Sequence, residues 1–231
     1  MQILESTMIG LRSARICMRS RDSGAEITLF PMVHLGEASF FRAVYEDAMA
    51  HDVVLVEGVS GPIARRITRS YRWVAGSSKL GLVLQSTVRP EIAGPAKVVH
   101  ADLSPEEFAV AWRTVPILVR ALVYLLGTLV ALRVRWSFSR AALAKGWSMN
   151  DLTPDEELRE PPELAALNRA ILHTRDKRLL DHLDKEAAPL DGGSLRIAVV
   201  YGAAHMRAVV RHLTGRGYYA VNPEWLTVFS L

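Results

Sequence analysis

Two histidines and one glutamate close apolar, strand-like runs. His34 ends Ile27–Val33, Glu57 ends Val53–Val56, and His205 follows Leu195–Val200 after Tyr201-Gly202-Ala203-Ala204. Imidazole and carboxylate move protons near neutral pH and bind divalent cations. Two histidines and one carboxylate with open positions make a hydrolytic metal arrangement, with His34, Glu57 and His205 as its ligands. Zn, Mn and Co suit such donors alike. The same residues allow a metal-free route, in which a histidine base oriented by Glu57 activates water. Neighbouring strands lie about 4.8 Å apart, so strand ends that are adjacent or one strand removed bring these side chains within reach of each other.

Further polar residues sit where apolar ones are expected. Glu163–Ala187 carries a helical stripe through Leu164, Leu167, Ile171, Leu172, Leu179, Leu180 and Leu183. Arg175 and Asp176 occupy one turn of that stripe, so both are expected to face inward. An inward arginine needs a partner or a polar site; the two form either a structural pair or part of a site. His100 and Asp102 follow the short run Lys97–Val99 and are read either as support at the same rim or as a turn and helix entry. Arg65, Arg66, Arg69 and Arg72 are either a solvated basic face or an attractor of anionic substrate.

The elements that must position these residues alternate strand and helix. Ile27–Val33, the helical spacing of Phe40, Phe41, Val44, Tyr45 and Ala48, and Val53–Val56 make one βαβ unit. Continuous apolar strands joined by a helical crossover indicate a parallel sheet covered on both faces, and the carboxyl edge of such a sheet is where sites form. Ala14–Met18, turned by Asp22-Ser23-Gly24, adds a hairpin, and Tyr218–Val221 and Leu226–Phe229 read as the last strands. The expected fold is α/β: a central mixed, largely parallel β-sheet flanked by helices. Residues 1–231 are expected to form one domain, with a helical cap insertion over 104–162 that opens on a Ser104, Pro105, Glu107 capping box. Trp147–Pro162 is polar, acid-rich and proline-bearing, and reads as a connector or cap edge.

The chain resembles the TraB/PrgY/TIKI family, itself similar to erythromycin esterase-like and ChaN-like proteins. The resemblance rests on Met32-Val33-His34-Leu35-Gly36, Val54-Leu55-Val56-Glu57-Gly58, Thr174-Arg175-Asp176-Lys177-Arg178 and Tyr201-Gly202-Ala203-Ala204-His205. It covers about residues 26 to 213. The family pattern has two Gly-x-x-His motifs, a glutamate after the second strand and an arginine on a late helix, which fall on His34, Glu57, Arg175 and His205. The first motif departs, with Pro31 at the glycine position. The resemblance implies a metal-dependent peptidase or an enzyme that inactivates peptide signals, acting on a peptide or small-molecule substrate. In that reading the metal-bound water is the nucleophile, and Arg175, oriented by Asp176, stabilises the oxyanion. The alternatives are a metal-free esterase-type hydrolase and a non-catalytic protein that binds a peptide or apolar ligand.

The remaining composition sets bounds. Lys and Arg total 28 against 24 Asp and Glu, a balance of +4, and no basic run is interleaved with aromatics, so nucleic acid is not an expected partner. The single cysteine, Cys17, forms no internal disulfide, and the start of the chain has no signal-peptide pattern; a cytoplasmic location is expected. Val115–Val134 is apolar on nearly all sides. A membrane span there would separate His34 from His205 by about 30 Å of hydrocarbon, so a shared site excludes it. The segment is expected in the core, in a homodimer interface or in peripheral membrane contact; the favoured arrangement is a cap helix completed by a homodimer, with the site beneath.

Overall fold

The computed structural model describes residues 2–21, 24–75, 79–88, 95–136, 139–147, 162–187 and 194–231. Its frame is a seven-stranded mixed sheet. Strands β1 (Leu4–Thr7), β2 (Gly10–Ser20), β3 (Ala25–Met32), β8 (Leu195–Gly202), β5 (Val53–Val56) and β7 (Lys97–His100) run in that spatial order, and β9 (Tyr218–Ser230) also pairs with β2. The β3–β8, β8–β5 and β5–β7 pairings are parallel, while β1, β3 and β9 each lie antiparallel to β2. A two-stranded ribbon, β4 (Leu35–Gly36) with β6 (Val83–Leu84), stands apart from this sheet.

β5 and the inner stretches of β3 (Leu29–Met32) and β8 (Ile197–Tyr201) are apolar at every position because both faces are covered. Successive side chains alternate between two cores. Ile27, Leu29, Val53, Leu55, Ile197 and Val199 pack on one face with Leu179 and Leu183 of α9 (Thr174–Glu186) and Met206, Val209 and Leu213 of α10 (Met206–Gly215). Phe30, Met32, Val54, Val56, Ala198 and Val200 pack on the other with Phe40, Phe41, Val44, Tyr45 and Ala48 of α1 (Ala38–Ala48). The expected βαβ unit is therefore β3–α1–β5, and β8 inserts between its strands. Cys17 is buried in β2.

Two expectations are redrawn. The two last strands are one strand: β9 runs unbroken through Asn222 and Pro223, with a register shift against β2 between Arg15 and Cys17 and with Asn222 at φ 42°. Asparagine tolerates this left-handed conformation, and Pro223 is accommodated because β9 pairs on one side only. The helix expected over Glu163–Ala187 is also interrupted. It consists of α8 (Pro162–Asn168), a π-helical turn at Arg169–His173, and α9.

The described part of the 104–162 insertion contains α5 (Pro105–Arg113), α6 (Ile117–Trp136) and α7 (Arg140–Trp147). Ser104 caps α5, accepting from the Glu107 N–H while the Glu107 carboxylate accepts from the Ser104 N–H. Trp112, Val115 and Ala170 form a third apolar cluster, against which Val119, Val123 and Tyr124 of α6 pack. α7 leaves this group: Ala144 is buried in the α1-side core, and Arg140 bonds Glu37 and the carbonyls of Leu80 and Ser230. The acid-rich connector at 148–161, and the turn residues Asp22 and Ser23, lie outside the described residues. Among the described residues no single helix is long and apolar enough to cross a membrane.

Candidate active site

The strand order β3–β8–β5–β7 places four strand ends side by side. Val33 and His34 follow β3, the turn Ala203–His205 follows β8, Glu57 follows β5, and Ala101 and Asp102 follow β7. His34, Glu57, Arg175 and His205 line one cavity of about 820 Å³. Its opposite wall comes from α2 (Pro62–Ile67) and α3 (Arg69–Ala75), through Ala64, Arg65, Ile67, Thr68, Tyr71 and Arg72. The basic helix segment of the sequence is thus the wall facing the strand ends. α6, expected as the cap, contributes none of its described residues to the lining.

Arg175 is the hub. Its Nε donates to Asp102 Oδ1 at 2.9 Å, and its Nη2 donates to Asp102 Oδ2 at 2.7 Å and to Glu57 Oε1 at 2.5 Å. The preceding π turn supplies the Ile171 carbonyl, which accepts from Nη1 at 3.3 Å. Glu57 Oε2 accepts the Gly202 N–H at 2.6 Å, which ties the β5 end to the β8 end. Asp102 also accepts from the N–H groups of Leu103 and Gly58. Burial works to raise Glu57, but the Arg175 cation and then the two histidines outweigh it, and its pKa falls below the ordinary carboxylate value. Asp102 is lowered the same way: burial opposes, and the Arg175 hydrogen bonds and charge with two backbone donors prevail. Arg175 stays protonated, since the Asp102 bonds and the Glu57 charge exceed the penalty of its burial.

Asp176, the next residue on α9, turns to His205. Its Oδ1 lies 2.6 Å from Nδ1 of a ring that is only 3% exposed. A carboxylate only accepts, so it holds the proton on Nδ1 and leaves Nε2 as the basic nitrogen. His34 is held differently. Its ring lies 4.7 Å from that of Tyr71, and burial lowers its pKa below the ordinary histidine value despite the pull of Glu57. It is therefore neutral at pH 7. His100 is exposed at the end of β7 and does not line the cavity.

Of the sequence-derived site residues, all but His100 come together, with partners other than those expected. Arg175 is oriented by Asp102 and Glu57 where Asp176 was expected, and Asp176 orients His205. Two residues were missed. Tyr201 has a buried hydroxyl beside the Asp102 carboxylate; its ring lies 4.9 Å from that of His205 and 5.6 Å from the Arg175 guanidinium carbon. Its place at the head of Tyr201-Gly202-Ala203-Ala204-His205 was the available signal. Tyr71 gave none, because its role comes from how α3 crosses the strand ends.

Glu57 spends one oxygen on Arg175 and the other on Gly202. Among the described residues no group of three or more His, Cys, Asp or Glu is placed to hold an ion. As arranged, His34, Glu57 and His205 do not fit a three-ligand centre.

Comparison of the chain with family models, with curated proteins and with solved structures gives no match.

Proposed function

We propose that this chain is a hydrolase that cleaves an ester or peptide bond with a water molecule deprotonated by His205. The observation that carries this reading is the His205–Asp176 pair, 2.6 Å apart, on the wall of the cavity that Glu57 and Arg175 also line. Water gives its proton to Nε2 as its oxygen attacks the carbonyl carbon; the proton then passes from His205 to the leaving oxygen or nitrogen as that bond breaks. Asp176 stabilises the imidazolium formed between the two transfers. Arg175 has one N–H of Nη1 beyond its contact with Ile171, and that donor serves the carbonyl oxygen as it becomes negative. Neutral His34 provides a second imidazole for holding the water or the leaving group. The resemblance to the TraB/PrgY/TIKI family supports the same residues.

The test is turnover. Purified protein is assayed against panels of carboxylic esters and short peptides, and its metal content is measured in parallel. The expected result is hydrolysis of at least one class, abolished by His205→Ala, by protein that retains activity after chelation. A stoichiometric ion required for turnover would replace this mechanism with a metal-dependent one. Ligand binding without turnover would make the protein a binding module.

A further inference from the structure

We infer that the outer face of α6, together with the arginines of α2, α3 and α5, is a docking surface for an anionic lipid bilayer. α6 is apolar on both sides, but only one side is covered. Val119, Val123 and Tyr124 pack inward. On the other side Ile117 is 73% exposed, Leu118 80% and Leu125 56%, with Leu122, Leu126, Leu129 and Leu132 all above 40%. At the pitch of an α-helix these seven side chains occupy about half of the circumference. So continuous an open aliphatic strip marks a contact surface.

Charge identifies the occupant. From Gly58 to Pro90 and from Phe108 to Asn150 the chain has twelve Lys and Arg and no Asp or Glu. α2 and α3 pack against α6, and Arg66, Arg69 and Arg113 are exposed and lie outside the cavity lining. Arg66 lies over the Tyr124 ring at 4.9 Å, on the flank of α6. No acid pairs with these three arginines among the described residues. A second copy of the chain, docked through a two-fold axis, would bring this all-cationic layer against itself. A bilayer with anionic headgroups offers the leucines an acyl interior and the arginines phosphates, within one continuous surface. Docking there sets the cavity-lining helices α2 and α3 beside the lipid, and the inference does not depend on the hydrolytic reading.

The experiment is flotation of the purified full chain with vesicles of equal parts phosphatidylglycerol and phosphatidylcholine, and with phosphatidylcholine alone. The chain is expected to float with the anionic vesicles, to bind the neutral ones at least tenfold more weakly, and to lose affinity as salt rises. The double substitutions Leu122→Glu with Leu126→Glu, and Arg66→Gln with Arg69→Gln, are each expected to weaken binding at least tenfold while the thermal melt by circular dichroism stays that of the wild type. Folded wild-type protein that ignores anionic vesicles would overturn the inference, as would equal binding to neutral ones. So would a dimer in sedimentation that the leucine substitutions dissociate and that leaves the vesicles unbound; the strip would then belong to a second copy.

Discussion

At the scale of single residues the site is a charge arrangement around Arg175. The side chains of Arg175, Glu57 and Asp102 are 12%, 14% and 2% exposed, so none is well solvated. Removing one member strands the others, and Arg175→Ala is expected to cost about 3–5 kcal/mol in urea unfolding. Arg175→Lys should recover little of this, because an ammonium lacks the fork that spans Asp102 and Glu57. pH gives a second check. The pKa of His34 is lowered on folding, so below about pH 6.5 the unfolded chain takes up more protons at this site than the folded one, and stability falls as pH drops. Glu57 and Asp102 are also lowered, and their contribution, full above about pH 4.5, is lost at lower pH. Urea midpoints measured against pH should show both limbs, and His34→Gln should remove the upper one alone. That His34, Glu57, Arg175 and His205 would meet was legible, because a histidine or carboxylate at the end of an apolar strand, or an arginine in an apolar stripe, is an anomaly visible in sequence. The pairing of acids with bases was not. Asp102 reaches Arg175 only because β7 lies beside β5, a pairing between segments about 40 residues apart.

At the scale of elements, β8 lies between β3 and β5 and aligns the three strand ends. Gly202 makes that alignment work. A Cβ there would stand 2.9 Å from Glu57 Oε2 and 3.5 Å from His205 Cδ2. Gly202→Ala should therefore push Glu57 off its N–H partner and lower kcat by at least tenfold, with a small change in melting temperature. Unchanged kcat would show that this contact does not matter. The strands were legible because their apolar runs are uninterrupted, and α1 because its spacing is regular. The π turn at Arg169–His173 was not, since Arg-Ala-Ile-Leu-His carries no breaker and helical periodicity runs through it. Nor was the continuity of β9, where Asn222-Pro223 reads as a stop and only pairing with β2 carries the strand across.

At the scale of the whole molecule, the carboxyl edge of the sheet and α9 supply the polar residues of the cavity, and α2 and α3 supply the wall facing them. α6 lies outside the cavity with its apolar half open, so the long greasy segment serves an outer surface where a cap over the site was expected. Composition showed that this segment is apolar; which half is covered depends on tertiary packing by α2, α3 and the π turn. In the proposed reaction His205, oriented by Asp176, removes a proton from water. The direct measurement is kcat for wild type, His205→Ala and Asp176→Asn on the best ester or peptide substrate, in chelator-treated buffer. The expected result is turnover by the wild type, a loss of about 10²–10⁴-fold in His205→Ala, and a large loss in Asp176→Asn with KM little changed. Wild-type kcat in either variant, or turnover that returns only when a metal ion is added, would contradict it.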